Sequence, residues 1–172
     1  MLKAPEFLHS VELFQDLDNQ ALSVLTAMLV PKQIKAGRVI FREMDESDAL
    51  YVVEEGQVVV SKHVTGDMDV VLARFKPGDF FGEMGLFDGG PRSASAQTEL
   101  DTSLWILGRN AFHEIFSDHP EIAARICYRL VTVFIQRFRA TNEQAREAIR
   151  WGLEATGYSL SVDPALLGRK ST

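Results

Sequence analysis

Residues 78–96 read GDFFGEMGLFDGGPRSASA, and five of these nineteen positions (78, 82, 85, 89 and 90) are glycine. The stretch lies inside a β-rich pattern, where glycine supplies positive φ and lets a backbone approach a ligand closely. Between the glycines, Glu83 to Phe87 is long enough for one helical turn. A turn that starts just after Gly82 aims free N–H groups at whatever precedes it, which favours an anion. Arg92 follows Pro91 at the expected start of a strand, and its planar fork suits bidentate contact with phosphate oxygens. Glu83, when ionised, only accepts hydrogen bonds, and a pair of sugar hydroxyls offers the matching donors. Turn, arginine and carboxylate together describe a pocket for a phosphate fused to a ribose. Burying the two charges is costly unless ligand or mutual pairing offsets it.

Upstream, Ser10 to Leu17 carries Val11, Phe14 and Leu17 at helical spacing, and Asp18 is placed to cap a second helix running through Leu22, Leu25 and Leu29 towards Pro31. From Gln33 the pattern changes to short β-prone runs: Val39–Phe41, Leu50–Val53, Val58–Val60 and Met68–Leu72. Gly37, Glu55-Gly56, Thr65-Gly66-Asp67 and Pro77-Gly78 punctuate them. Ser93–Gln97 and Thr102–Leu107 supply two more strands. The fold class expected is α+β: an antiparallel β-barrel or jelly roll with helices before and after it.

Helix returns at Arg109–Phe116 and again from His119, with Asp118 as the expected N-cap and Pro120 in the first turn. Twelve of the seventeen residues from Ile122 to Phe138 are apolar or aromatic, too many for a single stripe. Such a helix is buried on two sides, and the same helix of a second subunit is the simplest partner for the outer side. Gly152 and Gly157 are the expected helix ends. Three parts follow: residues 1–116 as the barrel with its leading helices, 117–157 as a long helix for dimerisation and hinge motion, and 158–172 as an irregular tail.

The segment resembles the phosphate-binding cassette of cyclic-nucleotide-binding domains, in which FGE, an aliphatic residue, a short helix and PR precede small residues. The resemblance extends over roughly residues 8–150, including AGRVIFREMDESDALYVVEEGQVVV and RATNE, and is nearest to catabolite-activator-type regulators. It implies that the backbone at Gly82 and Ser93, with the Arg92 and Ser93 side chains, holds a cyclic phosphate. Glu83 would take the ribose 2′-hydroxyl, and Phe81, Met84, Ala94 and Leu72 would border the site. The ligand it implies is cAMP, with cGMP left open because Ser93 and Ser95 carry hydroxyls where guanine-selective domains place threonine. Met44 stands where the family usually has the glycine of an E-G-D turn. Too few residues follow the long helix for the winged helix-turn-helix of those regulators. The expectation is therefore a sensor without its own output domain, working through an unidentified effector protein. The alternatives are a ligand-free interaction scaffold and the sensor fragment of a transcription factor or channel.

The remaining features narrow the function class. A net charge of −6 and pI ≈ 5.2 are a poor start for binding nucleic acid. No apolar run approaches the ~20 residues of a membrane span, and MLKAPEFLHSVELF lacks a signal-peptide core, so the expected location is cytoplasmic. The four histidines (9, 63, 113 and 119) have no metal-ligand spacing. The carboxylates at 54, 55, 67 and 69 sit at hairpin tips, and the long-helix arginines are balanced by Glu121, Glu143 and Glu147. The lone Cys127 reads as a structural thiol. No nucleophile, base and oxyanion donor converge in a motif, so no enzyme activity is expected.

Overall fold

The computed structural model describes residues 4–66 and 68–156. The turn residue Asp67, the expected helix end at Gly157 and the expected tail 158–172 lie outside the described residues. The chain divides into two compact units, residues 1–130 and 131–172.

The first unit opens with α1 (Ala4–Ser10), a 3-10 turn (Glu12–Phe14) and α2 (Asn19–Met28). The expected helix over Ser10–Leu17 is corrected: helix precedes it, and only a 3-10 turn occupies Glu12–Phe14. The apolar residues are nevertheless core, with Val11 and Phe14 fully buried and Leu17 nearly so. Asp18 caps α2 as expected, its carboxylate accepting from the Ala21 N–H at 2.9 Å. The helix ends at Met28, and Val30–Ile34 form strand β1 instead of a continuation. Pro31 has no N–H to give, which an edge strand tolerates, and β1 is the edge beside β8.

The eight strands among the described residues are β1, β2 (Val39–Phe41), β3 (Ala49–Glu55), β4 (Val58–Thr65), β5 (Met68–Phe75), β6 (Phe80–Phe81), β7 (Ser95–Thr98) and β8 (Thr102–Gly108). They form two antiparallel four-stranded sheets, ordered β1-β8-β3-β6 and β2-β7-β4-β5. The expected α+β class and jelly-roll layering hold. The expected barrel does not, because the two sheets do not close on each other. β6 is only two residues long before the chain turns at Gly82, so it offers no ladder for closure.

Strand β3 is buried through Ala49–Val53. Side chains alternate along a strand, and Ala49, Tyr51 and Val53 enter a cluster with Val58, Phe81, Ala96 and Leu104. Aromatic rings knit this cluster together. Tyr51 stacks on Phe81 with centroids 5.2 Å apart, and Phe41 lies 5.6 Å from Tyr51. Phe41 belongs to one sheet and Tyr51 and Phe81 to the other, so the aromatic group spans the sandwich.

After β8 come α3 (Arg109–Asp118) and α4 (Pro120–Ala155). Asp118 is the last residue of α3, not the cap of α4. His119 takes that place, its carbonyl accepting from the N–H groups of Ile122 and Ala123. Within the first unit, Ile122, Ala123, Ile126 and Leu130 of α4 are buried. Arg129 makes paired hydrogen bonds to the Asp16 carboxylate, and these hold the Asp16 carboxyl below its ordinary pKa despite an opposing contribution from burial. In the second unit, Val131, Ile135, Phe138, Ile149 and Trp151 are exposed. The helix runs through Gly152, which does not end it. No helix among the described residues is long and apolar enough to cross a membrane.

One backbone position is strained. Met44 has φ 70°, a left-handed conformation that disfavours a side chain carrying Cβ, and it sits in the turn where glycine was the expected residue. Met44→Gly is expected to stabilise the protein by about 1 kcal/mol, raising Tm by about 2–4 °C. Thermal unfolding followed by circular dichroism measures this, and an unchanged or lower Tm would show that the turn carries no strain.

Candidate nucleotide-binding site

The site is organised by Arg92, which is only 3% exposed. It lies three residues before β7, not in a strand as expected. Backbone bonds fix it there: its N–H donates to the Asp45 carbonyl at 2.8 Å, and its carbonyl accepts from the Met44 N–H at 2.9 Å. Glu46 and Pro91 form an isolated β-bridge alongside. The turn containing strained Met44 thus holds the arginine's main chain.

The guanidinium points inward. Nη1 donates to the carbonyls of Ala49 (2.9 Å) and Gly82 (3.1 Å), and Nη2 reaches the Asp48 carboxylate at 3.4 Å. The head group lies 4.2 Å from the Phe41 ring centroid and 5.4 Å from that of Tyr51. Burial pushes the arginine's pKa down, while Tyr51 and Asp48 pull it back. The Asp48 side chain is 70% exposed, so much of its compensation is screened by water. Nε is buried and has no hydrogen-bond partner among the described residues. A buried cation with a spare donor and a solvent-facing counter-charge matches an anion better than it matches a structural pair.

The expected turn is present as a 3-10 helix over Glu83–Leu86, entered through Gly82 at φ 77°. Glycine is required here twice over. The φ is left-handed, and a Cβ would stand 2.8 Å from Arg92 Nη1 and 3.0 Å from the Ala49 carbonyl oxygen. Glu83 is buried at the start of the turn.

The other predicted residues divide. Phe81 is core, stacked on Tyr51, and Ala94 is buried. Met84 and Ser93 are exposed beside the turn and the arginine, and the Ser93 carbonyl accepts from Lys62 Nζ at 3.0 Å. Leu72 is 56% exposed on β5, the edge strand two places from β7. It sits at a bulge, since Ala73 and Val71 pair with the adjacent Val60 and Ser61. Sequence reasoning missed Phe41, Asp48 and Tyr51 as neighbours of Arg92. Phe41 and Tyr51 lie in runs read as strands, but nothing local tied any of the three to a residue some forty to fifty positions later.

Comparison with known proteins follows this geometry. A model of the cyclic nucleotide-binding domain family matches residues 31–119. The chain belongs to that family. It is 31% identical over 144 residues to a CRP-like cAMP-activated global transcriptional regulator of Mycobacterium tuberculosis, covering 84% of this chain and 62% of the relative. It is 38% identical over 117 residues to a cyclic nucleotide-gated potassium channel of Rhizobium etli, covering 68% of this chain and 31% of the channel. Among solved structures, the Thermus thermophilus catabolite activator protein superposes with a TM-score of 0.71 at 28% identity, covering 80% of this chain and 62% of that one. The chain therefore spans less than two thirds of these relatives' length.

A side chain at Gly82 must displace either the turn or Arg92. Gly82→Ala is expected to destabilise this cyclic nucleotide-binding domain by about 2 kcal/mol through left-handed strain and the close contact. Urea unfolding gives the value, and a loss below about 0.5 kcal/mol, the ordinary scatter of a surface substitution, would mean that Gly82 carries no such constraint.

Proposed function

We propose that this domain is a regulatory sensor whose ligand is cAMP in preference to cGMP, and that it binds without turnover. The observation that carries the reading is the buried Arg92 guanidinium with its unpartnered Nε beside the turn that opens with buried Glu83. In this reading the cyclic phosphate lies on Arg92 and Ser93 and on the backbone at Gly82, while Glu83 accepts from the ribose 2′-hydroxyl. Leu72 and Met84 offer exposed apolar surface for sugar and base. The relatives named above as cAMP-activated and cyclic nucleotide-gated support this choice, and a net charge of −6 disfavours a nucleic-acid backbone as the ligand.

The output passes through α4. The sensor runs to residue 116, and α4 (Pro120–Ala155) is the dimerising, hinge-forming helix, which repacks when the cassette engages ligand. The exposed apolar residues Val131, Ile135 and Phe138, spaced at helical intervals, support a second copy of the chain as the partner of that helix. An effector protein would then read the ligand state in the cytoplasm.

Calorimetric titration of nucleotide-stripped protein with cAMP and then cGMP tests the assignment. Binding at micromolar Kd or tighter is expected for cAMP, and weaker binding for cGMP. Arg92→Leu should abolish it, and Glu83→Ala should weaken it by about 2 kcal/mol, the loss typical of a hydrogen bond to a charged group. An Arg92→Leu protein that bound normally would sink the site, and silence of the wild type towards both nucleotides would sink the sensor.

A further inference from the structure

We infer that Arg109, which lies outside the cassette, is a positioning residue that sets the nucleotide-binding turn against Arg92 and ties it to α3. The inference rests on the cyclic-nucleotide reading above. Arg109 is the first residue of α3, following Gly108, which provides no side-chain cap. A cation there faces the positive end of the helix dipole, so helix stability does not account for its placement. Its hydrogen bonds do. Nε donates to the Gly85 carbonyl at 2.7 Å, in the middle of the turn. Nη2 donates to the Ser47 carbonyl, and the backbone N–H donates to the Asp48 carbonyl at 2.7 Å. The same guanidinium lies alongside Gly89, where a Cβ would stand 3.4 Å from Nη1.

Asp48 is the shared member. Its carboxylate faces Arg92, and its carbonyl accepts from Arg109. Ser47 next to it is packed so closely under the turn that a Cβ on Gly85 would collide with its side chain. The turn cannot shift without displacing residues 47–48, and those residues cannot shift without moving both arginines. Glu83 lies two residues before the Gly85 carbonyl that Arg109 holds. The contact most exposed to the loss of Arg109 is therefore that of Glu83 with ribose, more than that of Arg92 with phosphate. Lysine keeps the charge but not the rigid fork that reaches two carbonyls at once.

The test titrates full-length wild type, Arg109→Lys and Arg109→Ala with cAMP and with 2′-deoxy-cAMP, which lacks the hydroxyl assigned to Glu83. Wild type should prefer cAMP. Arg109→Ala should lose about tenfold or more in cAMP affinity, the scale of one charge-assisted hydrogen bond, while its affinity for the deoxy analogue falls less, so the preference collapses towards one. Arg109→Lys should fall between, and it decides the matter if the alanine variant fails to fold by circular dichroism. Hydrogen exchange in residues 109–118 should slow with cAMP in wild type and not in Arg109→Ala. A folded variant that loses affinity equally for both nucleotides, or not at all, overturns the inference while leaving the sensor standing. Wild type that binds neither nucleotide removes the sensor reading and this inference with it.

Discussion

A guanidinium held inside a protein is the constraint around which this domain is arranged. Arg92 is desolvated, and an ionised group taken from water must regain its hydration from fixed dipoles and charges. Two carbonyls, two aromatic faces and one distant carboxylate supply part of this. They come from both layers of the sandwich, Phe41 from one sheet and Ala49 and Tyr51 from the other. The charge therefore acts as a rivet between sheets whose edges do not close. It also explains why β6 is short. The chain must leave the sheet at Gly82 in a left-handed conformation so that its carbonyl turns towards Arg92.

The parts of the molecule that were legible in the sequence are those whose chemistry is local. The Asp18 cap and the turn after Gly82 each depend on neighbours a few residues away, and each was readable from those neighbours. β1 was not, because VPKQI shows no hydrophobic alternation. Its residues 30–33 are exposed, and its strand conformation comes from pairing with β8, seventy residues on. The helix expected over Ser10–Leu17 failed for a related reason. Its apolar spacing reflects three buried side chains, and a 3-10 turn entered through extended Val11 buries them as well as an α-helix does. At the start of α4, two adjacent residues competed for the cap, and the chain chose His119 over the better intrinsic capper, Asp118. The barrel was expected from strand length and spacing, whereas the chain forms two separate sheets, one of them ending in the two-residue β6.

The surroundings of Arg92 show the same division. Glu83 and Arg92 stood out as candidates by type and spacing. Asp48, Tyr51 and Arg109 are ordinary residues in sequence and acquire meaning only through the fold. Met44 is intermediate: the missing glycine was visible, but its consequence was not. The left-handed methionine lies in the turn that carries the backbone partners of Arg92, so local strain adjoins the buried charge. Such positions persist where the surrounding structure over-determines them, and here two backbone hydrogen bonds and the Glu46–Pro91 bridge do so.

A sensor needs a site whose energetics are incomplete without ligand, because a ligand shifts an equilibrium only by its differential affinity for the two states. In the sensor proposed above, Arg92 would meet that requirement. Its spare Nε and its water-screened partner Asp48 leave room for an anion to add interactions that the protein alone does not supply. The shortfall must also be transmitted. Asp48 bonds to Arg92 through its side chain and to Arg109 through its main chain, so compensating one arginine bears on the residue that begins α3. α3 leads through a single residue, His119, into α4, whose outer apolar side chains are exposed. In the proposed sensor, charge compensation at the buried guanidinium would pass through these hydrogen bonds to the first residue of α3.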